Sequence, residues 1–436
     1  MKRRIFIRNA FITGGGLIAA PSFAKGLLEK GIKVTRLTNT NAHHWFGYYD
    51  KLQTDPTGRY ALCMEVDFCF RTPTADDIIK IGMVDLQDNN SWIDLGTSHS
   101  WGWQQGCMLQ FIPGSKDEVI WNDRKDGKFI SRIVNIHSKK ELVLPHPVYT
   151  LAPNGKFGVG TNFTRIQYMR PGYGYKGVED PGLLDLSPDN EGIYTIDLLT
   201  GETKTILSYK QIAQVPRPLG DVSDWFHYFN HLLISPDSSR LFFLNRCKKL
   251  KIEKGPDILE NPDKYYSKYK TRAFTINLDG SDIYALNDAG YFSHFIWKRN
   301  DMITAFGRPE DSDKRAFYEF KDKTKSYKII DPEKMPKNGH NTYVPDTNYE
   351  WILNDTYPQG EDRIQELYLY HQPSKRRVDL GRFYEPISFK NQHSSEWRCD
   401  LHPRCTPDGK YVIFDSTHEG NQRQMYMVKI EDIIKN

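Results

Sequence analysis

Four histidines stand at one fixed distance from four turns. His231, His294, His340 and His402 each lie five residues before the opening residue of a turn, at Pro236, Arg299, Pro345 and Pro407. The chain holds only 13 histidines, so the spacing is a pattern rather than an accident of abundance. Imidazole is a common ligand for Zn, Mn and Fe and a common acid or base near neutral pH. Side chains at equivalent places in successive repeats converge when the repeats surround an axis. The four histidines are therefore a candidate metal or acid–base site. Cys247 ends the strand that should return from the His231 turn, which makes it a fifth candidate ligand, and a His/Cys set points to zinc. A single histidine in such a place usually serves only to hydrogen-bond within its own sheet, whereas four in adjacent units argue for a shared task.

The turns that reveal this spacing recur seven times. They begin at Asp55-Pro56-Thr57-Gly58, Pro113-Gly114-Ser115, Pro153-Asn154-Gly155, Pro236-Asp237-Ser238, Arg299-Asn300-Asp301, Pro345-Asp346-Thr347 and Pro407-Asp408-Gly409. Proline presets φ, and Asp, Asn or Gly tolerates the left-handed position, so each reads as a hairpin turn. Strand-like runs follow at 59–66, 118–122, 240–246, 351–355 and 411–416, and others close the units at 192–197, 273–278, 366–370 and 424–429. Seven hairpin-led units without a sustained helical period imply an all-β, seven-bladed β-propeller, with a pair of β-sandwiches as the alternative. Removing a 24-residue leader leaves about 59 residues per unit against ~40–45 for common blades. The excess is expected in two insertions, 165–190 and 248–272, and long insertions on a rigid scaffold are where sites are built.

Residues 1–24 read as a signal peptide. Arg3-Arg4 precedes an apolar run from Ala10 to Ala20 and small residues ending at Ala24, a twin-arginine-like arrangement that predicts export to a periplasm or the exterior. No later run is long and apolar enough to span a bilayer. Residues 25–436 are expected to form one domain and to act as a monomer. Composition is that of a globular chain, 39% hydrophobic and 26% charged, and the net charge of +4 without a polybasic tract argues against a nucleic-acid partner. The 25 tyrosines and 9 tryptophans suit both strands and sugar-stacking surfaces. Six cysteines show no framework spacing.

Several short stretches carry a family resemblance. Asn230-His231 before Ser235-Pro236-Asp237, Leu244-Asn245-Arg246, Trp103-Gln104-Gln105-Gly106, Asn162-Phe163-Thr164-Arg165 and Gly172-Tyr173-Gly174-Tyr175 resemble the β-propeller polysaccharide lyases, namely the ulvan lyases and, more distantly, the oligogalacturonate lyases. The resemblance implies β-elimination on uronate-containing anionic glycans. In ulvan lyases it implies a His/Tyr/Arg catalytic set with a structural zinc, and in oligogalacturonate lyases a metal held by His and Gln. Where ulvan lyases present paired histidines, this chain offers Gln105 and Asn122. That departure raises an altered reaction, such as a dehydratase that expels water from a terminal uronate.

Elimination next to a carboxylate needs a cation to neutralise it, a base for the C5 proton and an acid for the leaving oxygen. Arg165 and Arg246 are the candidates for the cation, Tyr173 and His146 for the acid and base, and His44 is a further candidate at the mouth of the first unit. Two other readings compete. A glycoside hydrolase would need two carboxylates, for which Asp355 and Asp415 are placed, and a non-catalytic glycan-binding propeller is compatible with the same fold.

Overall fold

In the computed structural model, residues 32–390 and 396–435 are described. Among them the strands form seven four-stranded antiparallel sheets arranged in a ring, a seven-bladed β-propeller. Six blades take consecutive strands, over residues 43–98, 110–144, 150–208, 226–290, 292–329 and 342–384. The seventh combines Arg404–Cys405, Tyr411–Ser416 and Gln424–Lys429 with Val34–Arg36 from the opposite end of the chain. Val34, Thr35 and Arg36 pair with Val428, Met427 and Tyr426, so backbone hydrogen bonds fasten the ring. Closure of this kind leaves only short, protected sheet edges. Residues 1–24, read as the signal peptide, lie outside the described residues.

The repeated turns fold as their chemistry requires. Asp55 accepts the N–H groups of Thr57 at 3.0 Å and Tyr60 at 2.7 Å, which fixes the first turn. Gly58, Gly155 and Gly409 take φ of +70°, +69° and +66°, the left-handed region open to glycine. Both faces of a blade are covered by its neighbours. Phe226–Ile234 and Arg240–Lys248 are accordingly buried at every position, so these strands read as continuous runs rather than alternating ones. Trp101 and Trp103 are buried core side chains packed on Trp45. All six cysteines are free thiols.

The insertions carry short helices that the sequence pattern did not foretell. Phe163–Met169 is capped by Asn162, whose side chain accepts from the Arg165 N–H at 2.8 Å. Seven residues give too few turns to establish a period. Among the described residues no helix is long and apolar enough to cross a membrane.

One buried arginine ties blade 7 to the segment that enters blade 1. Arg404 donates to Gln53 Oε1 at 2.8 Å and to the Gly47 carbonyl at 3.0 Å, and it lies 3.4 Å from Asp415. Asp415 in turn faces the N–H groups of Phe46 and Gly47 at 3.3 and 3.4 Å. Removing one partner of a buried ion pair leaves an uncompensated charge, so Arg404→Ala is expected to cost about 3–5 kcal/mol. Denaturant unfolding of the two proteins checks this, and an unchanged midpoint would show that the pair is dispensable.

Candidate active site and metal centre

The four repeat histidines sit on or beside the first strand of blades 4 to 7. His231 lies in Phe226–Ile234 and His294 in Phe292–Arg299, while His340 and His402 stand two residues before Thr342–Tyr343 and Arg404–Cys405. Their rings converge in the channel, with centroids 4.0 Å apart for His294 and His340 and 4.3 Å for His340 and His402. The Tyr48 ring lies 5.0 Å from His231, 6.5 Å from His294, 6.1 Å from His340 and 5.2 Å from His402. His231 and His402 take left-handed φ of +52° and +42°, and the register shifts between Asn230 and Leu233. Such a backbone costs a non-glycine residue about 1–3 kcal/mol and clusters at functional sites.

Three donors form a compact set. The donor atoms of His340, Asp400 and His402, all buried, lie within 4.8 Å of one another. Donors on a tetrahedral ion with ~2.1 Å bonds stand ~3.4 Å apart, so the set would draw together to close on an ion. His340 Nδ1 donates to Asp355, 2.9 and 3.0 Å from its two oxygens, which leaves Nε2 as the nitrogen with a lone pair for a ligand bond. A carboxylate behind a histidine in this way orients metal-binding imidazoles. His402 Nε2 is buried with no hydrogen-bond partner, as an unfilled ligand position would be. Asp400 is held by Arg398, whose Nη2 lies 2.6 Å away. Two imidazoles and a carboxylate suit Mn, Fe or Zn. The residues present therefore fit a divalent transition metal.

The remaining two histidines border this set. His294 is engaged on both nitrogens, Nδ1 at 3.2 Å from Asn338 Oδ1 and Nε2 at 3.0 Å from Tyr357 Oη. Burial, followed by the neighbouring His340, pushes its imidazole well below the usual range. Burial holds His402 well down too, and it pushes His231 to about 4. His231 Nε2 lies 3.3 Å from Tyr49 Oη and 3.7 Å from Asp50, which is itself paired with Lys51 at 3.0 Å.

Cations and phenols form the rim. Arg398 stacks over Tyr357 at 4.2 Å and Arg170 over Tyr173 at 4.0 Å. Tyr269 lies between Arg170 and Arg246, which stand 5.5 and 4.4 Å from its ring centre. Arg246 is aimed by Asn230 Oδ1 at 2.7 Å and Thr271 Oγ1 at 2.8 Å. Tyr173 and Arg246 thus lie, both buried, in one stacked cluster with Arg170 and Tyr269. Arg170, Tyr269, Tyr357, Arg398 and Asp400 were not foreseen, although Asp400-Leu401-His402 is a ligand spacing that the sequence does contain.

Other expected residues lie elsewhere. Arg165 is 0% exposed, donates to the carbonyls of His227, Asp185 and Leu186, and stacks on Phe226 at 3.7 Å; it anchors the first insertion and has no free face for a carboxylate. Cys247 pairs across the sheet with His227, packs on Val222 and Trp225, and has its thiol pushed up to about 12 by burial, so it stands apart from the ligand set. His44 Nε2 binds Glu65 at 2.9 Å with its ring edge-on to Trp92. His146 packs on Tyr194 and lines a side cleft of about 370 Å³ with Asp180 and Glu191. Asn122 donates to Tyr175 Oη at 3.0 Å, and Gln105 accepts from Tyr149 Oη at 2.9 Å, so both serve packing between blades. Asp355 and Asp415, the acids considered for hydrolysis, are committed to His340 and to Arg404.

The fold and site together define a propeller with a histidine–carboxylate centre at its axis. No protein-family model matches the chain, and no curated protein matches it. Among solved structures the chain is similar to an oligogalacturonate lyase from Vibrio parahaemolyticus, at 14% identity and a TM-score of 0.59 over 93% of this chain and 96% of that one. It is also similar to an oligogalacturonate lyase in complex with manganese, at 16% identity and a TM-score of 0.63 over 94% and 97%. At these identities the likeness is one of fold.

The depressed histidines set a pH dependence. Burial holds His227 and His231 at about 4 in the folded chain, against ~6.5 when unfolded. The unfolded chain therefore takes up protons first as pH falls, so their contribution is complete above ~6.5 and is lost on descending toward 4. Melting temperature is expected to fall across this window, and less steeply in His231→Gln. Equal slopes for the two proteins would contradict the assignment.

Proposed function

We propose that the protein is a metal-dependent carbon–oxygen lyase that acts by β-elimination on uronate-containing oligosaccharides. The observation that carries this reading is the His340/Asp400/His402 donor set beneath a rim of arginines. The C5 proton of a uronate is poorly acidic because the adjacent carboxylate is already negative. A bound divalent metal supplies Lewis-acid neutralisation of that carboxylate. Arg170 and Arg246 bring further positive charge to the mouth, and the rings of Tyr173 and Tyr357 offer faces to a pyranose. Asp355 orients His340, and Arg398 positions Asp400.

The fold likeness to oligogalacturonate lyases supports galacturonate-type oligosaccharides, and the manganese complex of one of them supports manganese beside the expected zinc. Ulvan-type uronates remain inside the proposed substrate class. The near-complete burial of the four histidines favours short chains or chain ends, which suits a terminal lyase or a dehydratase. The arginine-led leader at residues 1–24 supports action outside the cytoplasm, by a monomer.

The test is far-ultraviolet absorbance of the unsaturated product, followed on a panel of uronate polymers and oligosaccharides with metal-stripped and metal-reconstituted protein. Absorbance should rise on oligosaccharides, vanish on stripping and return with manganese or zinc. Asp400→Ala and His402→Ala should weaken metal binding by about 10–100-fold or more, since changes merely behind metal ligands already do so. A flat trace from folded, metal-loaded protein would overturn the lyase reading. In that case new reducing ends without absorbance would mark a hydrolase, and binding without turnover a glycan receptor.

A further inference from the structure

Tyr269 ends the excursion that leaves blade 4 after Lys248 and rejoins it at Lys270. The stems of this excursion are tied, Lys251 N to Tyr265 O and Ser267 N to Lys249 O, each at 2.8 Å. Its other tyrosines are anchors. Tyr265 and Tyr266 are buried, and Tyr266 packs against Phe226 at 5.6 Å. Tyr269 differs from both, being 43% exposed. The ionisable groups facing it are Arg170 from the end of the Phe163–Met169 helix, Arg246 and Lys248 from Arg240–Lys248, Tyr228 from Phe226–Ile234, and Tyr291 from the link into blade 5. Three of these are cations. Arg170 and Arg246 lower the phenol to about 7.

We propose that Tyr269 is the general base of the elimination, its phenolate oxygen removing the C5 proton of a uronate held at Arg170 and Arg246. The inference rests on the lyase reading above and adds the residue that breaks the C–H bond. Four observations support it. Tyr269 is part-exposed between two arginines, whereas His231 and His294 are enclosed and His294 has both nitrogens engaged. Its charge is poised for neutral pH, where a base is both ionised and still strong enough to accept a proton. Arg170 Nη1 and Tyr228 Oη are buried beside it without a hydrogen-bond partner, two donors suited to a substrate oxygen. The positive charge of Arg170 is also felt by His294 and Tyr357, which border the donor set.

The step balances without a further reagent. The proton passes from C5 to the phenolate, and the C–H pair becomes the C4–C5 double bond. The C4–O bond breaks with its pair on oxygen, which takes a proton from water. The phenol returns its own proton to solvent through the open mouth.

The experiment compares the metal-loaded wild type with Tyr269→Phe in three readouts. The variant should lose about 10²–10⁴-fold in kcat, keep its manganese affinity and lose the acidic limb near pH 7 from its pH–rate profile. Ultraviolet difference titration should show one tyrosinate forming between about pH 6 and 8 in the wild type, absent in Tyr269→Phe and moved upward in Arg246→Gln. An active wild type whose Tyr269→Phe variant keeps kcat and the limb would overturn the base assignment alone, as would a missing tyrosinate step. A metal-loaded wild type silent on every uronate would overturn the lyase reading and the base with it.

Discussion

The carboxylate of Asp355 is the interaction on which the centre depends. It is fully buried. It accepts from His340 Nδ1, from the His340 N–H at 2.6 Å and from the His402 N–H at 3.2 Å. One side chain on blade 6 thereby sets the ring orientation of one donor and the backbone position of another on blade 7. Charge-assisted hydrogen bonds of this kind are strong, and leaving them unmade in a buried site is costly. The left-handed backbone at His402 is tolerable because Asp355 and the neighbouring strands over-determine it.

The propeller makes that interaction possible. Each blade presents the start of its first strand to the axis, so residues 46 to 63 positions apart in sequence become neighbours. Arg404 locks the segment bearing Tyr48 and Tyr49 against blade 7, and Tyr49 exchanges hydrogen bonds with the backbone of Phe295 on blade 5, at 2.8 and 2.9 Å. Packing therefore fixes the segment bearing Tyr48 and Tyr49 beside the four histidines. Arg165, buried among three carbonyls and two aromatic rings, holds the first excursion in place and so brings Arg170 and Tyr173 to the rim.

The architecture and the histidine positions were legible because both are local. A turn is written in four residues, and a fixed offset from it survives whatever lies between repeats. The seven turns gave the blade count, and the common offset of His231, His294, His340 and His402 gave their shared place. The division of labour among them was not legible. Nothing in the sequence distinguishes His340, backed by Asp355, from His294, engaged by Asn338 and Tyr357, because those partners come from other strands. Cys247 and Arg165 were misplaced for the complementary reason. Both types suit the chemistry, but strand register turns Cys247 toward Trp225, and the short capped helix carries Arg165 into the core. Tyr269 was hidden because its character comes from two arginines 99 and 23 positions away.

The measurement that bears most directly on the metal centre is anomalous diffraction from crystals of the protein grown with manganese. A single strong peak bonded to His340, Asp400 and His402, with Asp355 still hydrogen-bonded behind His340, is the expected result. An absent peak, or one bound elsewhere with the His402 imidazole turned to a protein partner, would contradict it.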